Sequence, residues 1–328
     1  MWALSATDIQ RLVSMRQAID LVKSAFAELS SGHAEVPLRS SIGFPGRDGV
    51  TLFMPASVPS IESAGVKIVS VFPNNPNLGK STISALMIVT SVETGEPLAL
   101  LDGTFLTALR TGAASGAATE LLARPESSVL TVFGAGAQGL TQAWAIATVR
   151  PIERVYVCDI SDSARSSFAE RLAGYDADLA TKVVPAADMG GAVRESDIIC
   201  TATTSRRAVF DGADVRPGTH INAIGAFTPE MQEVPIETVA SARLVVDSIE
   251  AVMAEAGDLL KAIEAGALKR EDVSLELGQL VADQSQGRQS PDEITLFKAV
   301  GVAVQDVVVA NYAAAEAERQ GIGQIIEL

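Results

Sequence analysis

Ile9, Leu12, Val13, Ile19, Val22, Phe26 and Leu29 recur at helical spacing, so the chain from Ser5 to about Ser30 predicts a helix with one apolar face. A loop marked by Gly32, Pro37, Gly43, Pro45, Gly46 and Gly49 follows. The pattern then changes to short apolar runs at 50–54, 64–71 and 82–90. The turn Glu93-Thr94-Gly95-Glu96 leads into a returning arm at 97–101. This N-terminal part is therefore sheet-rich. Thr104 to Ala123 reads as a helix, and its small residues (Gly112, Ala113, Ala114, Ser115, Gly116) permit close packing against a neighbouring element. Arg124-Pro125 ends it.

From Ser128 strand and helix patterns alternate. Strands are expected at 129–133, 154–158, 181–184, 197–201, 219–224 and 243–247, with helical patterns between most of them. That alternation predicts a parallel sheet with crossover helices. A short strand at 294–297 then precedes an Ala/Val-rich helix reaching about Gln320. Val302, Val304, Val307, Val308 and Val309 make this helix apolar on more than one face, so it is expected to be buried, packed back on the N-terminal part. The fold class is α/β. A Rossmann domain is expected over 121–293, with a sheet-rich α+β domain built from both chain ends, 1–120 and 294–328.

The densest chemistry lies at Val129-Leu130-Thr131-Val132-Phe133-Gly134-Ala135-Gly136-Ala137-Gln138-Gly139. An apolar strand runs into G-x-G-x-x-G and then into a helix. Gly134 allows a tight turn, Gly136 lets backbone approach a pyrophosphate, and Gly139 lets helix pack on strand. The N–H groups of the helix start, from Ala137 and Gln138 on, suit phosphate. Asp159, about 20 residues further on, ends the second strand, where its carboxylate can accept from ribose hydroxyls. Its charge repels a 2′-phosphate and Ile160-Ser161 supplies no cation, which points to NAD. Arg165, one helical turn on, leaves NADP as the alternative. Thr203 and Ser205 follow the fourth of these strands, at the sheet edge where ligands bind in such folds.

Composition narrows the partners. The formal charge of −15 opposes binding to nucleic acid and to anionic membranes, so an anionic substrate needs its own local cluster of Arg and Lys. With 48% hydrophobic residues but 5% aromatic ones, Ala, Val, Leu and Ile must fill the cores. The two cysteines, Cys158 and Cys200, end apolar runs and read as buried thiols without a disulfide. No secretory signal or membrane-spanning run is apparent, and the simplest expectation is a cytoplasmic protein. His220, entering a strand, reads as structural, and His33 as a helix-end cap. No spacing suggests a metal site or a nucleophilic triad.

Together, Pro37-Leu38-Arg39, Met54-Pro55, Val66-Lys67-Ile68, Leu109-Arg110-Thr111, Gly134–Gly139, 218–225 and 294–298 resemble the ornithine cyclodeaminase/μ-crystallin family over nearly the whole chain. The resemblance implies that Arg39, Lys67 and Arg110 hold a substrate α-carboxylate beside the nicotinamide. A carboxylate taken out of water needs such charge-assisted partners. It also implies that Thr82 faces cofactor or substrate, and that the protein is a homodimer formed through its sheet domain. Lys298 matches a family position as well, and reads as a salt-bridged structural lysine.

Two departures separate this chain from the cyclodeaminases it resembles. Phe227 stands where those lyases carry an acid/base aspartate, and Leu52 where they carry a glutamate. Neither side chain can shuttle a proton. The expected function is therefore NAD(P)H-dependent reduction of an α-imino acid to an amino acid, with Phe227 as an apolar wall and Lys67 and Arg110 as the catalytic pair. An ornithine cyclodeaminase using bound NAD is the first alternative. A μ-crystallin-like binder of an aromatic ligand, using Phe53 and Phe227, is the second.

Overall fold

The computed structural model describes residues 1–327. Its chain forms two units, Met1–Arg110 joined by the segment from Val302 onward, and Thr111–Gly301. The expected boundaries at 120 and 294 differ from this. The first division falls inside the helix Gly103–Leu122, and the second just before the last helix.

In the first unit the initial helical pattern forms two helices, Ala6–Leu12 and Met15–Ser30. Val13 turns extended between them, and Ser5 and Ser14 each begin a helix with a reciprocal capping box, to Asp8 and Gln17. The sheet contains β1 (Trp2–Leu4), β2 (Ser40–Phe44), β3 (Gly49–Val58), β4 (Ser63–Val71), β5 (Ile83–Thr90), β6 (Pro97–Asp102) and the short strand Gln324–Ile325. Its order is Gln324–Ile325, β1, β6, β5, β4, β3, β2, antiparallel except for β1 with β6. The edge strand β2 is exposed along its length and shows no alternation, so only its pairing with β3 reveals it. Pro55 is tolerated within β3 because it lies beyond the end of β2. Alternate residues Met54, Ala56, Lys67, Val69, Met87 and Val89 are buried. The last helix, Ala303–Gln320, packs against β3, β4, β5 and Met15–Ser30. Its Val304, Val307, Val308 and Val309 are buried, each contributing about 1.5–3 kcal/mol.

The second unit holds β7 (Val129–Phe133), β8 (Arg154–Cys158), β9 (Val183–Pro185), β10 (Ile198–Thr201), β11 (His220–Ala223), β12 (Arg243–Val246) and β13 (Thr295–Lys298). All pair in parallel, in the order β12-β13-β11-β10-β7-β8-β9. The first strand is thus central and the order reverses between β7 and β10, the crevice where ligands bind in doubly wound sheets. The strand expected at 294–297 in the N-terminal domain belongs here, between β11 and β12. It is buried at every position, as a central parallel strand must be, and a short apolar run carries no mark of which sheet it joins. The small residues of Gly103–Leu122 serve close packing: a Cβ on Gly112 would lie 2.6 Å from the Thr141 carbonyl oxygen.

Candidate active site

The loop after β7 is built as its glycines require. Gly134 has φ +99°, and a Cβ there would meet the Ala202 carbonyl oxygen at 2.5 Å. A Cβ on Gly139 would come within 2.0 Å of the Gly134 oxygen. A Cβ on Gly136, by contrast, would meet nothing within 4 Å, so the loop opens on space beside the start of helix Ala137–Val149. That helix has no side-chain cap, which leaves its first N–H groups for a ligand, and the buried Gln138 Oε1 has no hydrogen-bond partner among the described residues. Asp159 braces the loop: its carboxylate accepts from the Ala135 N–H (2.7 Å) and the Ser161 N–H (2.8 Å). Arg165 is engaged by the Asp159 carbonyl and the Asp162 carboxylate. These features fit a dinucleotide whose pyrophosphate sits at the helix start.

Across the crevice, the loops after β10 and β11 are tied to one buried carboxylate that the sequence did not reveal. Glu233 accepts from the Thr201 and Thr203 hydroxyls, from the Thr203 N–H, and from the Gly225 and Ala226 N–H groups. Burial pushes its carboxyl above the usual carboxylate range, and Lys298 opposes that rise. Lys298 donates to Asp258 at 2.9 Å, and Asp258 accepts from the Glu233 and Val234 N–H groups. The Thr203 hydroxyl also accepts from the Ser205 N–H, and the Ser205 hydroxyl donates to the Arg207 carbonyl. Half-buried Phe227 extends from the second of these loops. His220 is buried between Thr295 and Asn222, and burial pushes it down to about 3, which keeps it neutral. Cys158 and Cys200 are free, buried thiols; burial pushes Cys158 up to about 12 and also pushes Cys200 up. Among the described residues no group of His, Cys, Asp and Glu is placed to hold a metal ion.

In the first unit, Lys67 points from β4 into the buried face, where Met54 and Met87 flank it on the neighbouring strands. It donates to Asp306 Oδ2 at 2.8 Å. Arg110 Nε donates to Asp306 Oδ1 at 2.9 Å, and Arg110 Nη1 to Gln305 Oε1 at 2.5 Å. Two cations thus share one carboxylate, with Lys67 1% and Arg110 5% exposed. Burial and Arg110 push Lys67 down to about 7, and Asp306 opposes them; Arg39 adds to the lowering. Arg39, in the loop before β2, is half-buried. Asp306 is the partner that the valine pattern of its helix conceals. A lone acid among buried valines was the available signal. Thr82 precedes β5, half-buried, with its carbonyl accepting from the Phe72 N–H. Leu52 lies in β3 opposite Val69.

The model of the ornithine cyclodeaminase/mu-crystallin family matches residues 2–321. The chain belongs to this family. It is 39% identical to a Δ1-pyrroline-2-carboxylate reductase of Bacillus cereus, over 100% of both chains. It is similar in structure to the Thermococcus litoralis Δ1-pyrroline-2-carboxylate reductase in complex with NADH and L-proline, at a TM-score of 0.94 and 40% identity. That match covers 99% of this chain and 100% of the other. An archaeal alanine dehydrogenase dimer with bound NAD matches at a TM-score of 0.90 and 36% identity, covering 100% and 99%. Within this family the fold is a Rossmann unit plus a second, sheet-rich unit. Among the described residues no helix is long and apolar enough to cross a membrane.

Proposed function

We propose that the protein is a cytoplasmic, NADH-dependent imine reductase that converts a cyclic α-imino acid, Δ1-pyrroline-2-carboxylate first among them, to the L-amino acid. The observation that carries this reading is the buried cluster in which Lys67 and Arg110 share the single carboxylate of Asp306. An ammonium and a guanidinium have more donors than Asp306 and Gln305 accept, and a surplus positive charge out of water calls for an anion. A substrate carboxylate supplies it. The whole-length similarity to two pyrroline-2-carboxylate reductases supports the ring substrate, and the similarity to an alanine dehydrogenase supports acyclic imines such as iminopropionate or iminosuccinate. Side chains at Leu52 and Phe227 that cannot take a proton favour reduction over ammonia loss from ornithine.

Gly134, Gly136, Ala137, Gln138 and Gly139 would hold the pyrophosphate, Asp159 the ribose, and Thr203 and Ser205 the adjoining edge, with Thr82 as a further contact. NADH, when bound, supplies hydride to the carbon of the C=N bond. Arg39 and Arg110 orient the carboxylate as planar forks. Lys67 Nζ completes the clamp and stands ready to give a proton to the nitrogen, which a value near 7 suits. Phe227 presents an apolar wall. The half-buried to exposed face of the first sheet, where Ile68 faces Leu86 and Ile88 faces Val66 and Leu100, supports a homodimer. Two thiols without a disulfide are in keeping with a reducing compartment.

The test follows NADH absorbance with pyrroline-2-carboxylate, piperideine-2-carboxylate, and pyruvate or oxaloacetate with ammonia, while ornithine with NAD is scored for ammonia. NADH consumption with an imine is expected; ammonia from ornithine without net NADH change would instead establish the lyase. Phe227→Asp is expected to retain NADH binding and lose roughly 10- to 100-fold in imine kcat/KM. Undiminished turnover would remove Phe227 from the site. Because Asp159 places a charge where a 2′-phosphate would lie, NADH should outperform NADPH, and Asp159→Ser should shift the ratio of their kcat/KM values toward NADPH by about tenfold or more. An unchanged ratio would mean that Asp159 only braces the loop.

A further inference from the structure

Asp306 has no counterpart in the clamp read from the sequence, yet it is the only group that touches both of the clamp's buried cations through hydrogen bonds among the described residues. It is fully buried on helix Ala303–Gln320, it spends one oxygen on each cation, and neighbouring Gln305 takes a further Arg110 N–H. Held from one rigid helix, Lys67 on β4 and Arg110 on Gly103–Leu122 lose the rotamer freedom that two long side chains otherwise have. We propose that Asp306 is a positioning residue for imine reduction: it fixes Lys67 and Arg110 as one two-armed receptor for the substrate carboxylate and keeps Lys67 supplied with its proton. This rests on the imine reductase reading.

The charges facing Lys67 come from every side of its pocket. Arg110 lies on Gly103–Leu122, Asp306 on the last helix and Arg39 in the loop before β2. The two arginines and burial favour the neutral amine, and Asp306 alone in that set favours the ammonium. Removing the Asp306 charge must therefore move the Lys67 titration to lower pH. Lengthening the side chain while keeping the charge must instead disturb the spacing of the two arms.

The experiment uses the full-length enzyme with Asp306→Asn and Asp306→Glu, NADH and pyrroline-2-carboxylate or whichever imine of the panel the wild type reduces. Asp306→Asn is expected to move the alkaline fall of kcat/KM to lower pH by about one unit or more, and to raise KM about tenfold or more near neutrality. Asp306→Glu is expected to keep the pH profile near that of the wild type and still raise KM, with a smaller change in kcat. NADH binding, measured by fluorescence titration, should stay unchanged in both. A wild-type pH profile in Asp306→Asn, or a wild-type KM in Asp306→Glu, overturns the proposal. If Asp306→Asn does not fold, the KM and pH profile of Asp306→Glu decide it alone. If the wild type reduces no imine, the functional reading fails; the titration of the Lys67 13Cε signal, assigned by its loss in Lys67→Arg, then decides for Asp306. A signal that titrates at the same pH in Asp306→Asn overturns the inference on its own terms.

Discussion

Lys67→Met is expected to lower kcat/KM for imine reduction near pH 7 by about three orders of magnitude while NADH binding stays unchanged. On the proposed reading the variant removes two effects at once. It takes away a proton donor, worth roughly 10²–10⁴, and a charge-assisted contact to the substrate carboxylate, worth about 1.5–3 kcal/mol. Methionine fills the volume of the lost chain between Met54 and Met87, and Asp306 keeps Arg110 as its partner, so no buried carboxylate is left uncompensated. Steady-state rates with a saturating and a limiting imine separate the two effects: a fall in kcat reports the proton, a rise in KM the clamp. NADH fluorescence titration provides the control. Activity within tenfold of the wild type would show that Lys67 neither donates the proton nor holds the carboxylate.

Lys298→Met is expected to be the costliest single change to stability, at about 3–5 kcal/mol, or a fall in Tm of about 10 °C. Lys298 is fully buried and lies against Asp258, and its charge opposes the effect of burial on Glu233. Without it, two acids remain in the interior with backbone N–H and hydroxyl groups as their only support. The sign with pH follows from the raised Glu233 carboxyl. A carboxyl whose value is higher in the folded than in the unfolded chain binds protons preferentially when folded. The penalty of its buried charge is therefore present at neutral pH and relieved as the pH falls through the raised value. The deficit of Lys298→Met should shrink as the pH is lowered from neutrality, as thermal unfolding of both proteins at each pH would show. A deficit that grows on acidification would mean that the lost packing, rather than the unpaired acids, sets the cost.

Local features of this protein were legible from its sequence and long-range pairings were not. The limits of β7 and β8 follow from apolar runs ending at a glycine loop and at an acid, which are events within a few residues of each other. Gly134 and Gly139 meet the steric demands that their places in the motif predict. The burial of the last helix was readable from valines on several faces, since no solvent-facing helix carries them. Lys67 was ambiguous because a strand alternates by two, and the sequence does not say which face meets water until Asp306 is found across from it, far along the chain. Glu233 and Asp258 lie outside the glycine motif, and their partners are mostly backbone N–H groups of distant loops, which have no residue signature. The placement of 295–298 failed for the same reason: the run shows that a strand forms but not beside which neighbours.

The late entry of β13 into the second sheet has a consequence for how this chain comes off the ribosome. The second unit lacks an interior strand until residue 298 has been made, and the first lacks the helix that covers β3, β4 and β5 until the chain has passed residue 320. A chain stopped before residue 298 therefore holds neither unit complete. A chain stopped at residue 290 leaves β11 and β12 without the strand that joins them, and leaves Lys67 and Arg110 buried without their anion. A chain stopped anywhere before residue 295 carries both defects together, so it should be degraded rather than leave one domain that persists.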